Sequence, residues 1–64
     1  MSVTVPATYR NKKTGKIYHT ILAAHNASNY ADLELMVLYY SREQNMSFVR
    51  EITEFEEKFE YVSD

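Results

Sequence analysis

The stretch that decides the fold is "LELMVLYY", which runs from Leu33 to Tyr40 and is the most apolar segment of the chain. Read as a helix, the stretch has one apolar face at the spacing i, i+3, i+4 and i+7, formed by Leu33, Met36, Val37 and Tyr40, with Ser28 or Asn29 as a cap. Read as a strand, it sends alternate side chains to opposite faces, and both faces are then apolar. Periodicity alone does not separate the two readings.

The residues around this stretch favour the strand. Val37 and the Tyr39-Tyr40 pair suit a pleated surface, and "REQN" at 42–45 is a suitable turn before the β-like run "MSFVREI" at 46–52. We therefore predict a hairpin with strands near 35–40 and 46–52. Because an antiparallel sheet with one solvated face does not produce a strand that is apolar on both sides, something must cover the second face.

The N-terminal third predicts another hairpin. "ATYR" at 7–10 leads into "NKKTGK" at 11–16, where Asn11, Thr14 and the only glycine, Gly15, suit a tight turn. The run "IYHTILAAH" at 17–25 is rich in β-branched and aromatic residues and reads as the second strand. A long loop at 26–32 follows, which is either an ordinary surface connection or a place for contacts with a partner, including Tyr30.

The C-terminal segment "TEFEEKFEYV" predicts a short helix. Thr53 and Glu56 have the spacing of a capping box, and Phe55 and Phe59 stand at i and i+4 on one helical stripe. We expect a helix from about Glu54 to Phe59 that lays both rings on the sheet. The other candidate cover for the sheet is a second copy of the chain.

Size and composition indicate one small folded domain over residues 1–64. Apolar residues make up 45% of the sequence and charged residues 25%, with no cysteine. A domain of this size buries only about 60% of the surface that its unfolded chain exposes, and no disulfide can add stability. A homodimer that buries the surplus apolar face, with Leu38 and Tyr40 in its interface, is therefore one expectation.

Five short motifs lie along roughly residues 8–60 of the chain: Tyr9-Arg10, Gly15-Lys16-x-Tyr18, Met36-Val37-x-Tyr39, Phe48-Val49-Arg50-Glu51 and Phe55-x-x-x-Phe59. Together they resemble the pattern of a family of small bacterial and phage domains of unknown function. The resemblance implies a compact β-rich domain, SH3-like in strand order, with a short helical turn before the last segment, and it implies no known activity. We predict a mainly β domain, either a small SH3-like barrel or a bent antiparallel sheet of four or five strands, with a short C-terminal helix. The chain departs from the family pattern at Ala23-Ala24 and in the longer loop at 26–32.

The sequence speaks against an enzyme and against a metal site. His19 and His25 are six residues apart, which along a strand is about 20 Å and too far to share an ion. The chain has no cysteine nucleophile and no glycine-rich loop to hold a phosphate. We therefore expect neither catalysis nor a cofactor.

Charge is distributed unevenly along the chain. Residues 1–31 carry four basic and no acidic residues, and residues 32–64 carry nine acidic against three basic residues, which together give −2. The basic residues of the first turn lie beside Tyr9 and Tyr18, as in modules that bind single-stranded nucleic acid. A nucleic-acid-binding domain centred on this turn is therefore the alternative function, with Arg10, Lys12, Lys13 and Lys16 as its site.

Protein binding is the function that the sequence favours. Six tyrosines and three methionines supply adaptable contact area, and the acidic residues near the C-terminus could meet a basic partner. We predict a non-catalytic protein-interaction module, specifically a phage-encoded modulator or inhibitor of a host or defence protein. The predicted contact residues are Tyr30, Leu38, Tyr40, Glu54 and Glu57.

Without an apolar stretch long enough for a membrane span, we expect a cytoplasmic protein, in the host cytoplasm if phage-encoded.

Overall fold

The computed structural model describes residues 3–27 and 34–64, which form one antiparallel sheet and one short helix. The elements in chain order are β1 (Ala7–Asn11), β2 (Ile17–His25), β3 (Leu35–Ser41), β4 (Met46–Glu51), α1 (Ile52–Lys58) and β5 (Phe59–Ser63). The five strands lie in the order β4-β3-β2-β1-β5. The predicted mainly β class with a short C-terminal helix is confirmed. The sheet is not closed, so the open antiparallel sheet rather than the barrel is correct.

The decisive apolar stretch is a strand from Leu35 onward, and the helical reading is wrong for these residues. β3 pairs with β2 on one side and β4 on the other, so that Val37 lies between Ala23 and Arg50. The two faces of β3 differ in exposure. On one face Val37 is 0% and Tyr39 is 3% exposed. Met36, Leu38 and Tyr40, which point the other way, are half-buried.

Both predicted turns are present and are built by short polar side chains. In the first turn, the Asn11 side chain accepts hydrogen bonds from the backbone N–H of Lys13 at 2.8 Å and of Thr14 at 3.0 Å. Gly15 follows with φ of 77°, a conformation that costs glycine little. In the second turn Asn45 has φ of 55°, which asparagine tolerates better than most residues.

The helix begins earlier than the sequence predicts, and the predicted capping box is wrong. Glu51, the last residue of β4, is the N-cap, and its carboxylate accepts hydrogen bonds from the backbone N–H of Thr53 at 3.1 Å and Glu54 at 3.2 Å. Thr53 therefore lies inside the first turn. Phe59 is the C-cap and first residue of β5, not a helical residue as predicted.

Aromatic rings fill the space between α1 and the sheet. Phe55 from the helix is fully buried at 0%, and its ring stacks on that of Phe59 with 4.3 Å between centroids. Tyr39 meets the edges of both rings at 5.1 Å and 5.2 Å. The prediction that the helix lays its rings on the sheet is thus confirmed for Phe55, whereas Phe59 belongs to the sheet itself. The buried apolar residues are Ala7, Tyr9, Tyr18, Val37, Tyr39, Phe55 and Phe59.

Candidate functional site

The sheet has a second face, turned away from α1, and we call it the open face. Strand alternation and register place Leu22, Leu38 and Val49 side by side across β2, β3 and β4 on the open face. Met36 lies beside Leu38 on one side and Tyr40 on the other. Leu22 is 44% and Val49 60% exposed. Among residues 3–27 and 34–64, no element packs over this apolar row.

Tyr40 flanks the row on one side and is held by the β3–β4 turn. It pairs with Ser47 on β4 and His19 on β2, and its hydroxyl donates a hydrogen bond to the Asn45 side-chain oxygen at 2.8 Å. This bond ties the ring to the turn residue that has a positive φ. The tyrosine therefore presents a fixed, half-buried ring at the edge of the open face.

The predicted protein-binding residues do not form one surface. Leu38 and Tyr40 lie on the open face, whereas Glu54 and Glu57 are exposed on α1, which packs on the opposite face. Glu54 also forms an ion pair with Arg50 at 3.3 Å. Tyr30 lies outside the described residues. The two predicted contact areas are thus brought to opposite sides of the sheet.

The predicted basic turn is partly neutralised by acidic residues from the second half of the chain. Arg10 donates a hydrogen bond from Nε to Glu60 of β5 at 2.8 Å. Lys16 lies 3.9 Å from a Glu43 carboxylate oxygen. The four predicted nucleic-acid contacts consequently divide into two paired residues, Arg10 and Lys16, and the exposed Lys12 and Lys13.

Lys12 and Lys13 line a shallow cleft with two basic residues that the sequence analysis did not select. Arg50 of β4 and Lys58 of α1 lie in the same cleft, and Glu57 is its one acidic lining residue. The Lys12 backbone N–H donates to the Lys58 carbonyl at 2.9 Å, which joins the turn to the helix end. No local motif could have shown this contact, because it joins residues 46 positions apart.

Arg50 is the most constrained cation of this cleft. Its Nε donates a hydrogen bond to the Tyr39 hydroxyl at 3.1 Å, which raises the pKa of the guanidinium above its ordinary value. The guanidinium carbon also lies 6.0 Å from the centre of the Phe59 ring, within reach of a cation–π contact. Arg50 therefore packs against two aromatic residues of the core and also lines the cleft.

Among residues 3–27 and 34–64, no group of three or more His, Cys, Asp or Glu side chains is arranged to hold a metal ion. Within the same ranges, no helix has the length and apolar character needed to cross a membrane.

Comparisons of the chain with protein-family models, curated proteins and solved structures found no match. The assignment of function therefore depends on the geometry of the surfaces described above.

Proposed function

We propose that the protein is a non-catalytic protein-interaction module that binds another protein through its open face. The observation that supports this proposal is the row of Leu22, Leu38 and Val49 across three neighbouring strands, opposite the helix. Burying apolar surface contributes about 25 cal/mol per Å², and a contiguous apolar patch on a small domain is a common sign of an interface.

The surroundings of the row indicate the chemistry of the partner. Tyr40, paired with His19 and Ser47, flanks the row on one side, and Met36 flanks it on the other. An apolar centre with a polar rim is the usual anatomy of a protein interface, and a fixed tyrosine ring is a frequent anchor. The partner in this proposal offers an apolar surface at its centre and hydrogen-bonding groups at its rim.

The more specific form of the proposal is a phage-encoded modulator or inhibitor of a host or defence protein. Its support is the resemblance of the motifs to small bacterial and phage domains. A modulator of this kind acts by binding and not by catalysis. The contact residues proposed for this role are Leu38 and Tyr40.

The proposal is tested by comparing three forms of the tagged protein in affinity purification from the native host cell. The wild type is compared with Leu38→Glu, which places a charge in the open face, and with Met46→Glu. Met46 is a matched control because it is an apolar residue with 53% exposure whose partner Ser41 is buried, which places it on the opposite face. Circular dichroism and thermal melting first establish that each variant is folded.

We expect one protein to be captured by the wild type and by Met46→Glu, and to be lost with Leu38→Glu. Capture should survive treatment with nuclease. Equal capture by both variants would show that the open face is not the binding surface. Loss of capture after nuclease treatment would favour the alternative function.

The alternative, a nucleic-acid-binding module, is favoured by one observation. Lys12, Lys13, Arg50 and Lys58 converge on one cleft against a single Glu57, although the net charge of the chain is −2. Phe48 and Tyr18 line an adjoining cleft that also contains Arg50, which puts aromatic rings near the cations. Positive charge beside aromatic rings is the combination used by proteins that bind single strands.

This alternative has a separate test with a single-stranded oligonucleotide. Replacing Lys12, Lys13 and Lys58 together with glutamine should weaken binding and reduce the slope of log K against log salt by about 2, because roughly 0.7 counterions are released per phosphate neutralised. Lys16→Gln is the control, since Lys16 lies outside the cleft beside Glu43. Unchanged binding by the triple variant would exclude this cleft.

A further inference from the structure

β2 is longer than the strand beside it, and this leaves part of one edge without a neighbour. β1 pairs with β2 only from Ile17 to Thr20. Beyond Thr20, a β-bulge is followed by the regular stretch Leu22–His25, which pairs with β3 on its other side. Within residues 3–27 and 34–64, no strand lies along the outer side of this stretch. We call Leu22–His25 the free edge of β2.

Residues 3–6, which precede β1, turn toward the core and do not extend along the free edge. The Thr20 hydroxyl donates a hydrogen bond to the Thr4 carbonyl at 2.8 Å, and the Thr4 N–H donates to the Tyr9 hydroxyl at 3.0 Å. These two bonds hold Thr4 beside the β1–β2 pair. The five residues from Ile21 to His25 are accordingly all exposed.

The direction of the backbone groups on the free edge follows from one hydrogen bond. The Asn26 N–H donates to the Glu34 carbonyl at 2.8 Å, in continuation of the His25–Leu35 register. Backbone groups alternate between the two sides of an antiparallel strand. Ala24 therefore directs its N–H and C=O toward β3, and Ala23 and His25 direct theirs away from the sheet.

The free edge lacks the features that normally prevent edge pairing. Lysine, other charged side chains and proline protect exposed edges, and the stretch Leu22-Ala-Ala-His25 has none of them. The outer strands β4 and β5, in contrast, carry Arg50, Glu51 and Glu60. The free edge of β2 can therefore meet an identical edge without bringing charged side chains together.

We propose that the free edge of β2 pairs antiparallel with the same edge of a second copy of this chain. The two-fold axis passes between Ala24 and the partner's Ala24, where two small side chains meet. Ala23 of each copy then lies opposite the partner's His25, and their outward groups form about four N–H···O hydrogen bonds. The two sheets become one continuous sheet through the dimer.

The second copy is the occupant that the side chains fit. Around the axis Ala24 meets the partner's Ala24, and Leu22 meets the partner's Asn26, so that no charged groups oppose each other. A charged peptide would find no complementary charge on the free edge. Pairing also places the open faces of both copies on one side of the joined sheet. Of the apolar row, Leu22 then lies nearest the axis.

The first test of self-pairing measures mass in solution by light scattering after size exclusion. We expect the wild type to have twice the 7.5 kDa mass of one chain, and Ala23→Pro to have the mass of one chain. Proline at this position removes an N–H that the β2–β3 pairing does not use, so the fold is retained. A wild type that is monomeric up to millimolar concentration, or a dimer that persists in folded Ala23→Pro, would overturn the proposal.

The second test measures disulfide cross-linking, and it tests self-pairing even if Ala23→Pro fails to fold. Because the chain has no cysteine, Ala24→Cys introduces a single thiol at the proposed axis, where facing Cα atoms are about 4.5 Å apart. Ala27→Cys is the control, since its thiols would be about 20 Å apart in the same dimer. We expect Ala24→Cys to cross-link at least tenfold faster under mild oxidation. Equal rates would overturn the proposal.

Self-pairing and the proposed protein-binding function can be tested separately. The dimer uses backbone groups of β2, whereas the proposed partner contacts side chains of the open face. We therefore expect Leu38→Glu to lose the partner and remain dimeric. If Leu38→Glu separates the dimer and Ala23→Pro does not, the open face is the dimer interface and self-pairing of β2 is wrong.

Discussion

Glu51 shows how one side chain connects two elements in a chain this short. Its backbone lies at the end of β4 and pairs with Met36 of β3, and its carboxylate caps α1 through the N–H groups of Thr53 and Glu54. No loop residue separates the strand from the helix. The direct transition places Phe55 over the sheet one turn later. Glu51 therefore helps to fix the position of the helix as well as its beginning.

The cap makes stability depend on pH. Hydrogen bonds from the Thr53 backbone, and then from Glu54, lower the pKa of Glu51 below its ordinary value. The carboxylate therefore stabilises the fold at neutral pH, above its pKa in the unfolded chain. This contribution is lost as pH falls from the ordinary glutamate pKa through the lower pKa of the folded state.

We predict that Glu51→Gln lowers stability at pH 7 and weakens the loss of stability on acidification below the ordinary glutamate pKa. The neutral amide still accepts hydrogen bonds, but it lacks the charge that favours the helix N-terminus. Urea midpoints measured from pH 7 to pH 2 check the prediction. Glu57→Gln, an exposed change in the same helix, should leave the pH profile close to that of the wild type. Superimposable profiles for Glu51→Gln and the wild type would contradict it.

At the scale of elements, β3 could be predicted because several local features agreed. Val37, the paired tyrosines and the turn at 42–45 all favoured a strand although periodicity did not decide. The alternation that leaves Leu38 and Tyr40 on the opposite face from Val37 and Tyr39 was also readable from the sequence. These features depend only on near neighbours in the chain.

The helix start and the free edge of β2 could not be predicted in the same way. Thr53 and Glu56 have the spacing of a capping box, but β4 extends to Glu51, and the glutamate side chain takes the cap position first. The free edge exists because β1 pairs no further than Thr20. Both outcomes depend on where a neighbouring strand ends, which local spacing does not encode.

The β1–β2 turn supports a prediction at this scale. Gly15 has φ of 77°, and a Cβ atom added there meets nothing within 4 Å. Gly15→Ala should therefore destabilise the domain by about 1 kcal/mol through backbone strain alone. Chemical denaturation measures the change. Lys13→Ala in the same turn should change stability by less than about 0.5 kcal/mol, and an equal effect of the two variants would show that strain at Gly15 is unimportant.

At the scale of the whole molecule, folding brings the basic first half of the chain against the acidic second half. Arg10 of β1 pairs with Glu60 of β5, and Lys16, directly before β2, approaches Glu43 of the β3–β4 turn. The opposite charges that are separated in sequence thus partly neutralise each other in space. Lys12, Lys13 and Lys58 remain together in one cleft with Arg50, which pairs with Glu54.

These cross-half ion pairs should contribute little to stability, because their side chains are exposed. The Arg10 and Glu60 side chains are 46% and 45% exposed, and exposed pairs contribute about 0–1 kcal/mol. A double-mutant cycle with Arg10→Ala and Glu60→Ala should give a coupling in this range that falls as salt is raised. The cycle for Lys16 and Glu43, at 3.9 Å and with Glu43 70% exposed, should give almost none. A coupling above about 2 kcal/mol that persists in 1 M salt would mean that the Arg10–Glu60 pair fastens β5 to β1 far more strongly than its exposure predicts.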